Sequence, residues 1–371
     1  MIGLNMHPRR TDPTAPRRKS LVKSLRVLVV GLVVLLPALT GCGRNPESIP
    51  ANQVAAFSGT VMGTEYHVTL ILPDPEFDVH AASQAVENAL NRVDQLMSTY
   101  KPESELSRFN SRRETTPFPI SHETAEVIGI ALQVSDMSGG AFDITVGPLV
   151  RAWGFGPDPY TGPPSDETIT RLREHVGWQL LHLDGQTLTK THPDVECDLS
   201  AIAKGYAVDR AAAALEVMKV TDYLVEVGGE VRTRGYNQDR GPWRIGIEAP
   251  IAGERRLQTV ALLSGKSLAS SGNYRNFHQI DKKRLGHTID PRTGRPVENG
   301  PDAVSVAHDS CAWADALATA LMAMPAENAW QKALEWNLAA CVMTVNPETG
   351  FITFRATPTM QPLLDQAVLS N

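Results

Sequence analysis

Asp315 and Thr319 stand four positions apart in Ala314-Asp315-Ala316-Leu317-Ala318-Thr319. On a helix that spacing puts a carboxylate and a hydroxyl on one face. Two hard oxygen donors suit Mg2+, which keeps several ligands as water or phosphate and seldom needs a full protein cage. Taken alone, Asp315 also reads as an acidic residue favoured by the dipole near a helix start. A second segment, Asp198-Leu199-Ser200-Ala201-Ile202-Ala203-Lys204-Gly205-Tyr206-Ala207-Val208-Asp209, leads from a strand end into a helix. Free N–H groups and Lys204 would receive an anion such as a diphosphate there; an N-capped helix with a solvated lysine is the plainer alternative. In Gly139-Gly140-Ala141-Phe142-Asp143-Ile144-Thr145-Val146-Gly147-Pro148 the glycines allow backbone to approach a ligand, and Asp143 is expected to point from a strand start. A helix stop followed by a turn accounts for the same residues. His287 precedes Asp290 by three positions in His287-Thr288-Ile289-Asp290-Pro291-Arg292-Thr293-Gly294, near enough for the carboxylate to orient the imidazole as a base. A surface histidine in a polar turn is the ordinary alternative. Ser270-Ser271-Gly272-Asn273-Tyr274-Arg275 is read with it, as polar residues closing an element.

Common cofactor and hydrolase motifs are missing. Ser264-Gly265-Lys266-Ser267 imitates the end of a P-loop, but Val260 occupies the position of its first glycine. Gly154-Phe155-Gly156 lacks the third glycine of a dinucleotide fingerprint, and neither HExxH nor GxSxG occurs. The chain of 371 residues carries a formal charge of −6. Residues 1–41 contribute seven Lys or Arg against Asp12 alone, so the remainder stands at −12. Such a body repels phosphate backbones, and no nucleic-acid partner is expected.

The basic stretch ending at Arg26 precedes an uncharged run, Val27 to Gly43, which is the order of a secretory signal. Pro37 interrupts the run, which is shorter than the ~20 apolar residues of a comfortable membrane span, although a retained anchor is the alternative. Leu39-Thr40-Gly41-Cys42 resembles the lipobox of bacterial lipoproteins. That resemblance implies cleavage after residue 41, acylation of Cys42 and a periplasm-facing protein anchored by lipid to the inner or outer membrane of a bacterial envelope. Residues 42–56 then read as a tether and 57–371 as the functional domain. Of the other cysteines, Cys311 and Cys341 are expected in the core and Cys197 near a site.

These groups need elements to hold them. Phe57 to Leu72 reads as two strands around a tight bend, and Asp78 precedes a helix with Ala82, Val86, Leu90, Val93 and Met97 on one face. Helices are expected from Ser121 to Gly139, over Glu167–Val176, over Ala201–Met218, over Ala312–Met324 and after Pro325. Strands are expected over Trp178–Leu183, Thr187–Lys190, Tyr223–Val227, Val231–Arg234, Trp243–Glu248, Thr259–Leu263 and Val304–Ala307, with a last hairpin of Ala339–Thr344 and Phe351–Phe354. Helices mixed with mostly antiparallel strands give an α+β class in one globular unit.

Taken together, the ordered blocks resemble the ApbE family of FAD:protein FMN transferases. They are Met62-Gly63-Thr64, Ser98-Thr99-Tyr100, Ser104 to Asn110, GAFDITVGPLV, DLSAIAKGYAVD, VEVGGE, SSGNYRN, HTIDPRTG and ADALAT. Asn273 departs from a common Asp, Ala201 from Gly or Thr, and Thr288 from an aliphatic residue. The resemblance implies an ApbE-type, T-fold-like layered fold with FAD in a cleft between two halves. It implies FAD contacts from Met62, Tyr100, Ala141, Phe142, Asp143, Asp198, Lys204 and Ile289. It further implies a divalent cation on Asp315 and Thr319, assisted by the carbonyls near Ala201 and Ala318. The implied reaction moves FMN from FAD to a Thr or Ser hydroxyl of an acceptor, releasing AMP, with Mg2+ as cofactor. Implied acceptors are flavoprotein subunits of membrane redox complexes. Tyr100 is a candidate to stack on a flavin or adenine ring. A Mg2+-dependent FAD pyrophosphatase and a non-catalytic flavin-binding lipoprotein are the alternatives.

Overall fold

The computed structural model describes residues 53–155, 162–273, 277–280 and 283–369. The signal segment, the lipobox with Cys42, most of the tether, Tyr274 and Arg275 lie outside the described residues. β1 (Val54–Val61) begins inside the segment expected as tether and pairs with β2 (Thr64–Ile71) from Val54↔Ile71 to Val61↔Thr64. The turn between them places both Met62 and Gly63 at positive φ, 52° and 75°. Such turns follow the twist of a hairpin; Gly63 adopts one freely, whereas Met62 does so against its steric preference.

α1 (Val79–Met97) is capped by the side chain of Asp78, which accepts the Ala81 N–H, and it buries the apolar face expected from its spacing. α2 (His122–Met137) starts at the cap Ser121 and stops before Gly139 and Gly140, both at positive φ. The chain then passes through a short helix, Gly147–Ala152, and a helix over Asp166–Arg173. Asp143 does not open a strand: the segment turns into the Gly147–Ala152 helix, whose first turn Pro148 favours. The expected strand at Trp178 begins only at Leu181, because residues 178–180 wind into a single 3-10 turn.

α3 (Ala203–Val217) leads to β3 (Tyr223–Val227) and β4 (Glu230–Arg234), joined by Gly228-Gly229. After the hairpin Trp243–Glu248 and Leu257–Leu263 come β5 (Ser267–Gly272) and β6 (Ala303–His308). α4 (Cys311–Met322), a helix over Ala326–Glu335, β7 (Ala339–Val345) and β8 (Ile352–Ala356) follow. The eight numbered strands form one sheet in which spatial order equals chain order, and the pairs are antiparallel. β5 has no counterpart among the sequence expectations. Its serines carry little strand signal, and its pairing with β6 (Ser267↔His308 to Gly272↔Ala303) and with β4 (Ser267↔Arg232, Leu268↔Val231) supplies the order instead.

Alternation along the strands builds two cores. Tyr223, Val225, Val304, Val306, Ala340 and Val342 face α1, α3 and α4 in the larger one. Ala303, Ala307, Cys341 and Met343 face the other way, onto Trp243, Ile245, Ile247 and Leu263 of the outer hairpin. Cys197, Cys311 and Cys341 are free and buried, and burial pushes the Cys341 thiol up to about 12. No helix among the described residues is long and apolar enough to cross a membrane.

Candidate active site

The site is built where α3 meets α4. Gly205 makes that meeting close: a β-carbon there would lie 2.3 Å from the Cys311 carbonyl oxygen and 2.8 Å from Asp315 Cβ. Its N–H donates to Asp315 Oδ2 at 3.0 Å, so one N–H expected to greet an anionic ligand already holds a carboxylate. One helical turn on, Asp209 accepts the N–H groups of Cys311 (3.0 Å) and Ala312 (3.1 Å) and the Ser310 hydroxyl (2.7 Å), and it pairs with Arg232. A side chain of one helix thus satisfies orphan donors at the start of the other, fixing the axial position of Asp315.

Lys204 Nζ lies 2.6 Å from Glu230 Oε1. Glu230 opens β4 directly after the glycine pair and is 2% exposed; Asp315 is 3% exposed. Burial raises the Asp315 carboxyl, against the attraction of Lys204 and the Gly205 hydrogen bond. Burial likewise pushes Glu230 up to about 8, opposed by Lys204 and reinforced by the Asp315 charge. Burial would lower Lys204, yet Asp315 and Glu230 hold its ammonium above its ordinary value. Two carboxylates therefore share one ammonium. The sequence reading gave Glu230 no role; an acid immediately after two turn glycines in VEVGGE was the available signal.

A cavity of about 460 Å³ opens beside this cluster. It falls within the ~300–1,000 Å³ usual for small-molecule sites. Ten of the residues expected to bind or react line it: Ala141, Phe142, Asp143, Asp198, Ala201, Lys204, His287, Ile289, Asp315 and Thr319; Glu230 does too. Asp198 is anchored through its N–H to the Ile144 carbonyl at 2.6 Å, and Asn110 grips the preceding residue by bonds to both the N–H and the carbonyl of Cys197. Thr319 Oγ1 stands 3.3 Å from Ser271 Oγ, which joins α4 to β5.

Five expected site residues fare differently. Asp290 does not orient His287: its Oδ1 accepts the Arg292 N–H (2.9 Å) and Nε (2.8 Å), and its Oδ2 accepts a terminal nitrogen of the same guanidinium (3.1 Å). The carboxylate is taken by the backbone and guanidinium of Arg292 two residues on, while His287 sits in a bend ahead of the short strand Ile289–Asp290. Ala318 is buried inside α4, where its carbonyl belongs to the intrahelical ladder, and it does not reach the cavity. Tyr100 is 71% exposed on the loop after α1, and Met62 packs on the core at the hairpin turn; neither lines the cavity wall. Asp143 lines the cavity, but its carboxylate serves the protein. Oδ1 accepts the Thr145 N–H (2.8 Å) and hydroxyl (2.7 Å), Oδ2 accepts the Trp178 N–H (2.9 Å), and burial raises its pKa.

The chain is also similar to known proteins. The profile of the ApbE family matches residues 62–342. The chain belongs to the ApbE family. An FAD:protein FMN transferase of Vibrio cholerae is 39% identical over 343 residues, covering 92% of this chain and 100% of that protein. One from Escherichia coli K12 is 36% identical, covering 85% and 92%. Among solved structures, the flavin transferase ApbE of Vibrio cholerae superposes with a TM-score of 0.78 at 36% identity, covering 84% of this chain and 100% of that one. The apo flavinyl transferase ApbE of Pseudomonas stutzeri gives 0.77 at 34% identity, covering 85% and 98%.

The donor set of the site can be compared with what a divalent cation requires. Asp315 and Thr319 offer hard oxygens on one face of α4, and the buried cluster carries more carboxylate than ammonium. A buried Glu230 oxygen, Oε2, is without a hydrogen-bond partner among the described residues. The residues fit a cation such as Mg2+.

Proposed function

We propose that this chain is an FAD:protein FMN transferase that moves the FMN moiety of FAD onto a Thr or Ser hydroxyl of an acceptor protein. The observation that carries the reading is the convergence of four separate motifs on one cavity, with a buried acidic cluster at its wall. FAD occupies the cavity with its diphosphate toward Lys204 and Asp315, and the Asp198 segment and the 141–143 loop line the rest. Asp315, Thr319 and the Ala201 carbonyl would hold Mg2+, which supplies neutralisation of charge on the diphosphate oxygens.

The acceptor hydroxyl oxygen forms a bond to the FMN-side phosphorus, the bond from that phosphorus to the bridging oxygen breaks, and AMP leaves with the bridging oxygen. His287 takes the hydroxyl proton. The imidazole lines the cavity and lies edge-on to the Phe155 ring with centroids 6.2 Å apart. Lys204, kept charged by its two carboxylate neighbours, faces the negative charge that builds on the diphosphate.

The lipobox-like Leu39-Thr40-Gly41-Cys42 supports a lipid-anchored protein facing the periplasm, and so acceptors among membrane redox subunits with flavin domains on that side. The test is incubation with FAD, Mg2+ and an acceptor domain, read by intact mass and AMP release. An FMN adduct with AMP supports the transferase; free FMN with AMP and no adduct makes it a pyrophosphatase; no AMP leaves a binding protein.

A further inference from the structure

One acceptor atom of the buried cluster is left without a donor. Glu230 Oε1 is 2.6 Å from Lys204 Nζ, whereas Oε2 is buried in the cavity wall with no hydrogen-bond partner among the described residues. A buried carboxylate oxygen without a donor is costly, and native structures leave few of them. Lys204 already serves both Asp315 and Glu230, and Asp315 is further held by the Gly205 N–H. On that wall Ser271 pairs with Thr319, Ser270 pairs with Ser305, Ser200 donates to Asp198 and Thr288 donates to Asn273, and none of these bonds reaches Oε2. The partner that Oε2 calls for is a positive charge arriving from the cavity.

We propose that Glu230 is a ligand of the divalent cation at this site, contributing Oε2 beside Asp315 and Thr319 while Oε1 keeps Lys204 in place. This deepens, and rests on, the reading of the cavity as a cation-assisted FAD site. Two carboxylates bind a hard cation more tightly than one, because affinity follows ligand charge. The arrangement also gives the Gly228-Gly229 turn a purpose. It brings the start of β4 to the α3–α4 corner, so that the ligands come from a helix, a strand and the turn before α3, and no single element carries the site. Lys204 is then pinned by a carboxylate that the cation itself fixes, which makes Glu230 both a ligand and a positioning residue for the ammonium.

The test uses the full-length chain and Mn2+ alone, without FAD, with free Mn2+ followed by its paramagnetic resonance signal. Glu230→Gln keeps the shape and removes the charge; its Mn2+ affinity is expected to fall about 10- to 100-fold. Lys204→Met removes the nearest competing charge and is expected to raise affinity. These opposite shifts distinguish a ligand from a structural ion pair, whose two halves would weaken binding together. Glu230→Asp, which retains the charge with a shorter reach, should fall between wild type and Glu230→Gln. It also serves should Glu230→Gln fail to fold. Unchanged affinity in Glu230→Gln, or a parallel loss in both partners' variants, overturns the proposal. A wild type that takes up no Mn2+ refutes instead the cation-assisted reading of the cavity.

Discussion

The α3–α4 corner and the hairpin carrying His287 line the same cavity but are built differently. At the corner, one glycine sets the helix separation, one buried aspartate caps the facing helix, and every charged group touches another. The hairpin is held by its own short pairing and by side-chain latches to its neighbours. Ile289 and Asp290 pair with Pro296 and Arg295, Thr288 Oγ1 donates to Asn273 Oδ1 at 2.9 Å, and Trp153 Nε1 donates to the Gly294 carbonyl at 2.8 Å. Ile289 packs with Leu149, Trp153 and Ile169 in a cluster separate from the main core. Groups that must meet a diphosphate gain from a rigid, dehydrated setting, where fixed charges act most strongly. The imidazole of His287 instead sits by Phe155, which packs on that separate cluster.

That contrast predicts a graded set of losses. Asp315→Ala should lower FMN transfer about 10³-fold, comparable to removing a principal electrostatic group from an active site. The fold should survive, because a carboxylate disfavoured by burial is what is lost, and circular dichroism beside the transfer assay checks both. Asp209→Ala should instead cost about 3–5 kcal/mol of stability in urea melts, since it strands Arg232 and uncaps α4. His287→Ala should reduce transfer about 10²-fold at unchanged stability and unchanged FAD affinity, measured by flavin fluorescence.

Cation-free protein should also show a pH signature from Glu230. Its folded-state pKa is raised to about 8, so the stabilising contribution is present below the ordinary glutamate value and lost as pH rises through about 8. Melting temperature in chelator should therefore fall from pH 5 to 8 more steeply for wild type than for Glu230→Gln. The smallest effect belongs to Thr288→Val, which removes one latch of the hairpin. It should slow transfer by several fold, the worth of a single hydrogen bond of about 1 kcal/mol.

Much of the corner was legible in the chain. The i, i+4 spacing of Asp315 and Thr319, and the run from Asp198 to Asp209, placed the cavity-lining groups on helices that the structure contains. What spacing does not reveal is which groups consume one another. Asp143 spends its carboxylate on Thr145 and Trp178, and Asp290 spends its own on Arg292, because local backbone N–H groups and a neighbouring guanidinium reach them first. Glu230 was invisible as a site residue for the converse reason: its partner, Lys204, is distant in sequence and meets it only through the sheet and helix packing. The departures at Asn273 and Thr288, separate in the sequence, are bonded to each other in the fold. β5 escaped notice because a serine-rich strand owes its order to its neighbours.

A divalent cation and the diphosphate of FAD are proposed to meet at the α3–α4 corner. Crystals soaked with FAD and Mn2+ test it directly through the anomalous signal of manganese. The expected result is a peak within bonding distance of Asp315 and Thr319, with the diphosphate between it and Lys204. A peak elsewhere, or flavin density with an empty corner, would contradict it.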